Sequence, residues 1–333
     1  MALINVILSG GVGSRLWPLS RKSRPKQYIP LFDNSTLFQM CARRNKAVAD
    51  QVLIIGNADN YQLSRQDMQA EGITGFSELI EAAPRNTAAA IAFAAFTVKP
   101  EDILLVTPSD HIISGTEAYN AAIAKAVELA AENYMVTFGA IPTRPETGYG
   151  YIEHDADFKV ISFKEKPSKD KAEEYLAKGG YLWNSGMFCF RAAVYLEELK
   201  QFAPDIYSAS EAAVQKMDSG FLPLKETMDI PSVSIDYAVM EHSHKIKVVP
   251  FDFSWSDLGS FESIWDYMDQ DKAEADKQKN LVLGSRKQVE FIGVENLVLV
   301  ETEDAVLIVP RNRTQEVKQV YERLEKEKPE LLD

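Results

Sequence analysis

Between residues 9 and 27 the chain gathers glycines and cations in a pattern suited to phosphate chemistry. The string Ser9-Gly10-Gly11-Val12-Gly13-Ser14-Arg15 follows the apolar run Ile4 to Leu8. Glycines at 10, 11 and 13 let the backbone turn tightly and aim successive N–H groups at an anion. The string lacks the Lys-Ser/Thr ending of a Walker loop. It also fails as a dinucleotide fingerprint, because Leu16 stands where the third glycine belongs. Arg15, Arg21, Lys22, Arg24 and Lys26 follow closely, in a chain whose 49 acidic and 36 basic side chains leave a net charge of −13. Such a cation cluster in an acidic chain favours a polyphosphate site over a solvated basic turn.

Two acids stand where a metal can be held. Asp110 follows the apolar run Ile103 to Val106 in V-T-P-S-D-H, and Asp257 lies in S-W-S-D-L-G-S. Ligands of open α/β sheets bind beyond the carboxyl ends of the strands. Mg²⁺ takes one or two carboxylates together with substrate oxygens and water. Asp110 is thus either a metal ligand or a turn aspartate after Pro108, and the fold decides whether the two acids meet. Pro84-Arg85-Asn86-Thr87 precedes an alanine-rich helical pattern; Asn86 or Thr87 either caps that helix or reads a polar base edge. Glu165 in F-K-E-K-P and Asn184 in W-N-S-G-M-F put polar groups inside apolar strings. Buried polar groups need partners, either the backbone or a sugar's hydroxyls. The four histidines include an H-x-H at 242 and 244 but no third ligand for zinc, and no G-x-S-x-G elbow supports a serine nucleophile.

The elements that must position these residues alternate. Strand signals at 4–8, 52–56, 103–106 and 136–139 are separated by helical patterns at 36–49 and 87–98, which predicts a mainly parallel sheet covered on both faces. Residues 169–178 read as a helix capped by Ser168 and stopped by Gly179-Gly180, and 245–253 read as an extended segment in which Pro250 argues for an edge or a break. The polar stretch at 269–279, either a linker or a solvated helix, divides the chain into a domain over 1–265, a linker over 266–280 and a β-rich appendage over 281–333. The appendage ends in a helix from Gln315 with Thr314 as its cap. About fifty residues is little for an independent core, so the tail should pack on the main domain or across a dimer.

Composition narrows the function classes. The hydrophobic fraction of 46% and charged fraction of 26% are those of a globular enzyme-sized chain. The acidic balance argues against nucleic acid and anionic membrane as partners. Cys41 and Cys189 sit in apolar contexts and read as core thiols. No leader and no spanning segment is apparent, so a cytoplasmic protein is expected.

Read in order, these strings resemble the sugar-nucleotide pyrophosphorylases, and within them the mannose branch. The resemblance is carried by G-G-V-G-S-R-L-W-P-L-S-R at 10–21, P-K-Q at 25–27, P-R-N-T-A at 84–88, P-S-D-H at 108–111 and P-E-T-G-Y-G-Y-I at 145–152. F-K-E-K-P at 163–167, W-N-S-G-M-F at 183–188, S-I-D-Y-A-V-M-E at 234–241 and W-S-D-L-G-S at 255–260 complete it, with a tail like V-E-N-L-V-L-V-E-T-E-D-A-V-L-I-V. The resemblance implies a Rossmann-like nucleotidyltransferase domain of α/β class with a mainly parallel, mixed sheet and a small β-helix-like appendage. It implies that Gly10, Gly11, Gly13 and Ser14 cradle the phosphates of GTP, with Ser109 beside them. Arg15 and Lys26 would neutralise the triphosphate and its leaving group, and Pro84, Arg85, Asn86 and Thr87 would read guanine. Asp110 and Asp257 would share Mg²⁺. Tyr149, Gly150, Glu165 and Asn184 would face mannose, with Lys166 on its 1-phosphate. The implied reaction is GTP plus α-D-mannose 1-phosphate giving GDP-mannose and pyrophosphate, by in-line attack without a covalent intermediate, in a homodimer. The alternatives are the same chemistry on another hexose or heptose 1-phosphate, or a catalytically silent regulatory relative. A fused isomerase domain, carried by many bacterial relatives, is not expected.

Overall fold

A computed structural model describes residues 1–32, 34–270 and 280–333. Contacts divide the chain into two compact units. The larger comprises 1–10, 41–109 and 113–255; the smaller comprises 11–40, 110–112 and 256–333.

In the larger unit, nine strands form one sheet. They are β1 (Leu3–Leu8), β2 (Gln51–Asn57), β3 (Ser77–Glu81), β4 (Ile103–Pro108), β5 (Met135–Ala140), β6 (Tyr151–His154), β7 (Val160–Lys164), β8 (Tyr181–Arg191) and β9 (Ile246–Phe251). The sheet runs β7-β6-β8-β4-β1-β2-β3, with β5 against the other side of β8 and β9 beyond β5. β1 pairs in parallel with β2 and β4, as do β2 with β3 and β5 with β9. β8 runs antiparallel to β4, β5 and β6, so the sheet is mixed, as the resemblance implied. β9 pairs only with β5 among the described strands, which gives Pro250 the edge position it requires.

Side chains alternate across the central strands, so the sheet feeds two cores. Ile4, Val6, Leu104 and Val106 face one core, shared with α1 (Asn86–Thr97), α3 (Ala192–Phe202) and α4 (Pro204–Gln215). Ile103 and Leu105 face the other, covered by α2 (Thr116–Ala131). In α1 every residue from Ala88 to Ala95 is buried, as an apolar helix without a polar face must be. Its alanines allow close approach, and Phe93 supplies bulk; truncating Phe93 to alanine costs about 3–5 kcal/mol. The helix begins at Asn86 with neither Asn86 nor Thr87 as its cap residue. That place falls to Arg85, and Asn86 takes a left-handed backbone in which its own Oδ1 accepts from the Thr87 N–H.

The smaller unit holds α5 (Phe261–Gln270), three short strands β10 (Leu281–Leu283), β11 (Leu297–Glu301) and β12 (Val306–Pro310), and α6 (Val317–Glu327). β10 pairs in parallel with β11 and β12 pairs antiparallel to it. α5 extends into the 266–280 stretch read as a linker, and residues 271–279 of that stretch lie outside the described residues. The terminal helix starts at Val317, later than expected, because a 3₁₀ turn over Arg311–Glu316 precedes it; Thr314 is buried within that turn. Phe261, Trp265, Val298, Val300, Tyr321 and Leu324 enclose Leu16 and Trp17 from the glycine loop. The tail completes its small core with residues drawn from the N-terminal segment.

Candidate active site

In the smaller unit the glycine loop closes over a buried lysine. Gly13 has a left-handed backbone (φ 78°), and a Cβ there would lie 2.5 Å from Lys26 Cβ, so both conformation and space exclude a side chain. The Gly13 carbonyl accepts from the Leu16 N–H at 2.9 Å and from Ser20 Oγ at 2.7 Å, while the Lys26 N–H donates to Val12 O. Lys26 is 4% exposed. Its Nζ donates to Asp110 Oδ2 at 2.8 Å and to the backbone carbonyl of Asp257. Arg15 donates to the Gly259 carbonyl at 3.3 Å, and the Gly259 N–H donates to Asp257 Oδ1 at 3.1 Å. A cavity of about 600 Å³ opens here, lined by the loop residues Gly11 to Leu16 together with Lys26, Asp110, Asp257 and Gly259. Burial would raise the Asp110 carboxyl, but the charges of Lys26 and His111 beside it outweigh that and hold it below the ordinary aspartate range.

Seven of the residues singled out from sequence (Gly11, Gly13, Ser14, Arg15, Lys26, Asp110 and Asp257) therefore share one cavity. Ser109 belongs to the larger unit, where its buried backbone N–H donates to Leu8 O at the end of β1. Gly10 is exposed at the end of that unit's first segment.

A second cluster lies in the larger unit around β8. The register of β8 shifts between Asn184 and Phe188 against β5, with Gly186 in a left-handed conformation (φ 71°). This irregularity leaves Asn184 Oδ1 to accept from the Gly186 N–H at 3.1 Å and from Thr137 Oγ1 at 3.2 Å. The Asn184 N–H donates to Gly150 O at 2.8 Å. A Cβ on Gly150 would lie 2.5 Å from Glu165 Oε2, so Gly150 is the gap into which that carboxylate fits. Glu165 Oε2 is buried and has no hydrogen-bond partner, while Oε1 accepts from Lys166 Nζ. Tyr149 packs its ring against Trp183 and Trp255 at 5.3 and 5.2 Å. Tyr149, Gly150, Glu165, Lys166 and Asn184 thus form the second group.

The segment Pro84–Thr87 is held by its own side chains. Arg85 donates to the carbonyls of Ile230 and Met228, both at 2.6 Å, and Thr87 Oγ1 accepts from the Ile235 N–H at 2.9 Å. Arg85 and Thr87 thereby fix the start of α1 and the 228–235 segment against each other.

A nucleotidyl transferase family model matches residues 4–274, and a mannose-phosphate isomerase/GMP-like β-helix model matches 272–324. A mannose-1-phosphate guanylyltransferase of Klebsiella pneumoniae is 40% identical over 96% of this chain and 73% of its own length. The alginate biosynthesis protein AlgA of Pseudomonas aeruginosa is 42% identical over 97% of this chain and 72% of its own. A crystal structure described as mannose-1-phosphate geranyltransferase from Thermus thermophilus superposes with a TM-score of 0.86 at 33% identity, covering 98% of this chain and all of that one. The chain belongs to the mannose-1-phosphate guanylyltransferase family of nucleotidyltransferases.

The structure adds residues to this guanylyltransferase that sequence reasoning did not single out. Asp236 opens a turn of π-helix over Asp236–Met240, a form that recurs at functional sites, and accepts from Asn184 Nδ2 at 3.1 Å. Burial, and then the charge of Glu165, push its carboxyl up to about 6. It follows Ile235, so the pinned segment at Thr87 leads directly into the Asn184 cluster. The only sequence signal was an acid within an otherwise apolar string. On the cavity side, Lys318, Tyr321 and Glu325 of α6 join the lining. Glu81, at the end of β3 and just before Pro84, is buried with Oε1 unpartnered; burial pushes it up to about 7, partly offset by the Arg85 backbone amide. No helix among the described residues is long and apolar enough to cross a membrane.

Proposed function

We propose that this guanylyltransferase joins GTP and α-D-mannose 1-phosphate to give GDP-mannose and pyrophosphate. The observation that carries the reading is Lys26, fixed beneath a glycine turn and bridging Asp110 and the Asp257 backbone. A buried, immobile cation flanked by two acids and an arginine suits a triphosphate and its counter-ion. It offers nothing to an acyl or hydride transfer.

In the proposed chemistry an oxygen of the sugar phosphate forms a bond to the α-phosphorus of GTP, while the bond from that phosphorus to the β-bridging oxygen breaks. Pyrophosphate leaves with the electron pair. The nucleophile is already anionic, so no protein base is needed; positioning and charge neutralisation suffice. The loop amides and Arg15 would hold the triphosphate, and Lys26 would offset charge that builds toward the leaving group. Glu165 and Asn184 would accept and donate to sugar hydroxyls, Tyr149 and Gly150 would shape that pocket, and Lys166 would meet the 1-phosphate. Pro84 to Thr87 would present backbone and the exposed Asn86 side chain to the base, since Arg85 and Thr87 are engaged.

The donor set fits Mg²⁺. Asp110 is held ionised, Asp257 shares its cavity, and two carboxylates leave the remaining positions to phosphate oxygens and water. When bound, the ion would supply positive charge that offsets the charge of the phosphates. The reading includes a cytoplasmic homodimer, which light scattering on the purified protein would test.

The deciding experiment is pyrophosphate release with Mg²⁺, crossing four nucleoside triphosphates with mannose-, glucose- and galactose-1-phosphate, beside Asp110→Asn. Turnover confined to GTP with mannose 1-phosphate and lost in the variant is expected. Preference for another pair would keep the chemistry and overturn the substrate assignment, while an inactive folded protein would support the silent relative.

A further inference from the structure

The C-terminal helix α6 presents Lys318, Tyr321 and Glu325, spaced three and four residues apart and therefore on one face, to the phosphate cavity. The helix packs against the 3₁₀ turn Ser14–Leu16 of the glycine loop. The segment beyond it is tied to the same loop. Trp17 Nε1 donates to Leu331 O at 2.9 Å, the Lys22 N–H donates to Leu332 O at 2.7 Å, and Arg21 also donates to the Leu331 carbonyl. Within this face Glu325 pairs with Lys22 at 3.3 Å. Lys318 has its nearest acid in Glu322, 3.6 Å away across one helical turn. Both partners of that pair are more than half exposed. Such an exposed pair is weak and screened, so a doubly charged phosphate group competes with it easily.

Besides Arg15, which donates to the Gly259 carbonyl, the cavity's other N-terminal cations are engaged by acids. Lys26 is engaged by Asp110, and Lys22 by Glu325. The chain as a whole, at −13, repels an anion of the charge of pyrophosphate.

We propose that Lys318 of the C-terminal helix binds the β- and γ-phosphates of GTP, and hence the pyrophosphate that leaves. The proposal rests on the nucleotidyl-transfer reading of this cavity and adds a contact from the appendage. The tail thereby becomes part of the phosphate site as well as its scaffold, and each end of the smaller unit's chain supplies cations to one ligand.

Lys318→Ala tests it, with Lys318→Arg as the conservative variant. Lys326→Ala serves as a control that removes equal charge from the same helix outside the cavity lining. In the reverse reaction, KM for pyrophosphate is expected to rise about tenfold in Lys318→Ala, while KM for GDP-mannose, which lacks the departing phosphates, stays within twofold. Lys318→Arg should recover most of the loss and Lys326→Ala should behave as the parent protein. Calorimetric titration of magnesium pyrophosphate into each protein, with no nucleotide or sugar present, should show the same tenfold loss. Equal pyrophosphate affinity in Lys318→Ala and the parent would overturn the proposal. So would equal losses in Lys318→Ala and Lys326→Ala, or no pyrophosphate binding by the parent. Absence of GDP-mannose synthesis by the parent would instead count against the activity itself, and the titration would still decide the role of Lys318.

Discussion

Lys26 Nζ lies 2.8 Å from Asp110 Oδ2, with the lysine side chain 5% exposed and the aspartate 34%. The cation is thus immobilised under the loop while its carboxylate partner remains open to the cavity. Depressing the Asp110 pKa makes a stabilising contribution that is complete above the unfolded value near 3.9 and is lost as pH falls through the lower folded value. Throughout the neutral range Asp110 is therefore held as its carboxylate.

Replacing Lys26 with methionine keeps the stem and removes the charge. Asp110 then loses its principal partner, and the proposed leaving-group charge goes uncompensated. A loss in kcat on the order of 10²- to 10³-fold is expected, the range seen when one preorganised electrostatic partner is removed. Steady-state kinetics with GTP and mannose 1-phosphate would show it. A loss under threefold would remove Lys26 from the machinery.

Gly150→Ala tests the second cluster. The new methyl would lie 2.5 Å from Glu165 Oε2 and 3.3 Å from Asn184 Cβ, so Glu165 must move. Displacement of the carboxylate proposed to face the sugar should raise KM for mannose 1-phosphate by about tenfold, within the 1–3 kcal/mol that one pocket contact carries. KM for GTP should change by less than twofold. An equal effect on both substrates would mean that Gly150 serves folding alone.

Much of this was legible in the residues. The apolar runs of β1, β2, β4 and β5 have the length and β-branched content of buried strands, and each appears within two residues of its expected bounds. β8 was not legible because Asn184-Ser185-Gly186 interrupts its apolar run; the irregular register that accommodates them is visible only against β5. Its antiparallel direction, which makes the sheet mixed, has no local sequence signal. Gly13 and Lys26 are thirteen residues apart and met on sequence grounds as a loop and its cation. Asp110 and Asp257 came together only through the fold. Asp236 was hidden because a single acid in an amphipathic string resembles a solvated position. Lys318 was hidden because a lysine on a charged terminal helix does the same.

Arg21 shows what the tail contributes to the loop. It is 8% exposed and donates to Pro18 O at 2.9 Å, to Asp304 Oδ1 at 2.6 Å, to Thr302 Oγ1 at 3.2 Å and to the Leu331 carbonyl. Arg21→Met keeps bulk but leaves two backbone carbonyls without this donor. A destabilisation of about 2–4 kcal/mol is expected, together with a rise in KM for GTP as the loop loosens. Urea denaturation and kinetics on the same preparation would measure both. A variant of unchanged stability would show that the packing of Leu16 and Trp17 and the Trp17 and Lys22 hydrogen bonds hold the tail to the loop without Arg21.

Glu81 supplies a pH signature that is independent of turnover. Its carboxyl is pushed up to about 7 by burial, so the folded protein favours the protonated form. The stability linked to that proton is complete below the unfolded glutamate value near 4.3 and is lost as pH rises through 7. Asp236, raised to about 6, adds to the decline over a lower window. The urea midpoint should therefore fall between pH 5 and pH 8. Glu81→Gln removes the larger contribution, flattening the profile and stabilising the protein at pH 8 by up to about 3 kcal/mol, the equivalent of the shift at about 1.36 kcal/mol per pH unit. The remaining slope should end near pH 6 and disappear when Asp236→Asn is added. Parallel profiles for the parent and Glu81→Gln would show that the glutamate is charged in the folded state, and its unpartnered oxygen would then have to be reached by water.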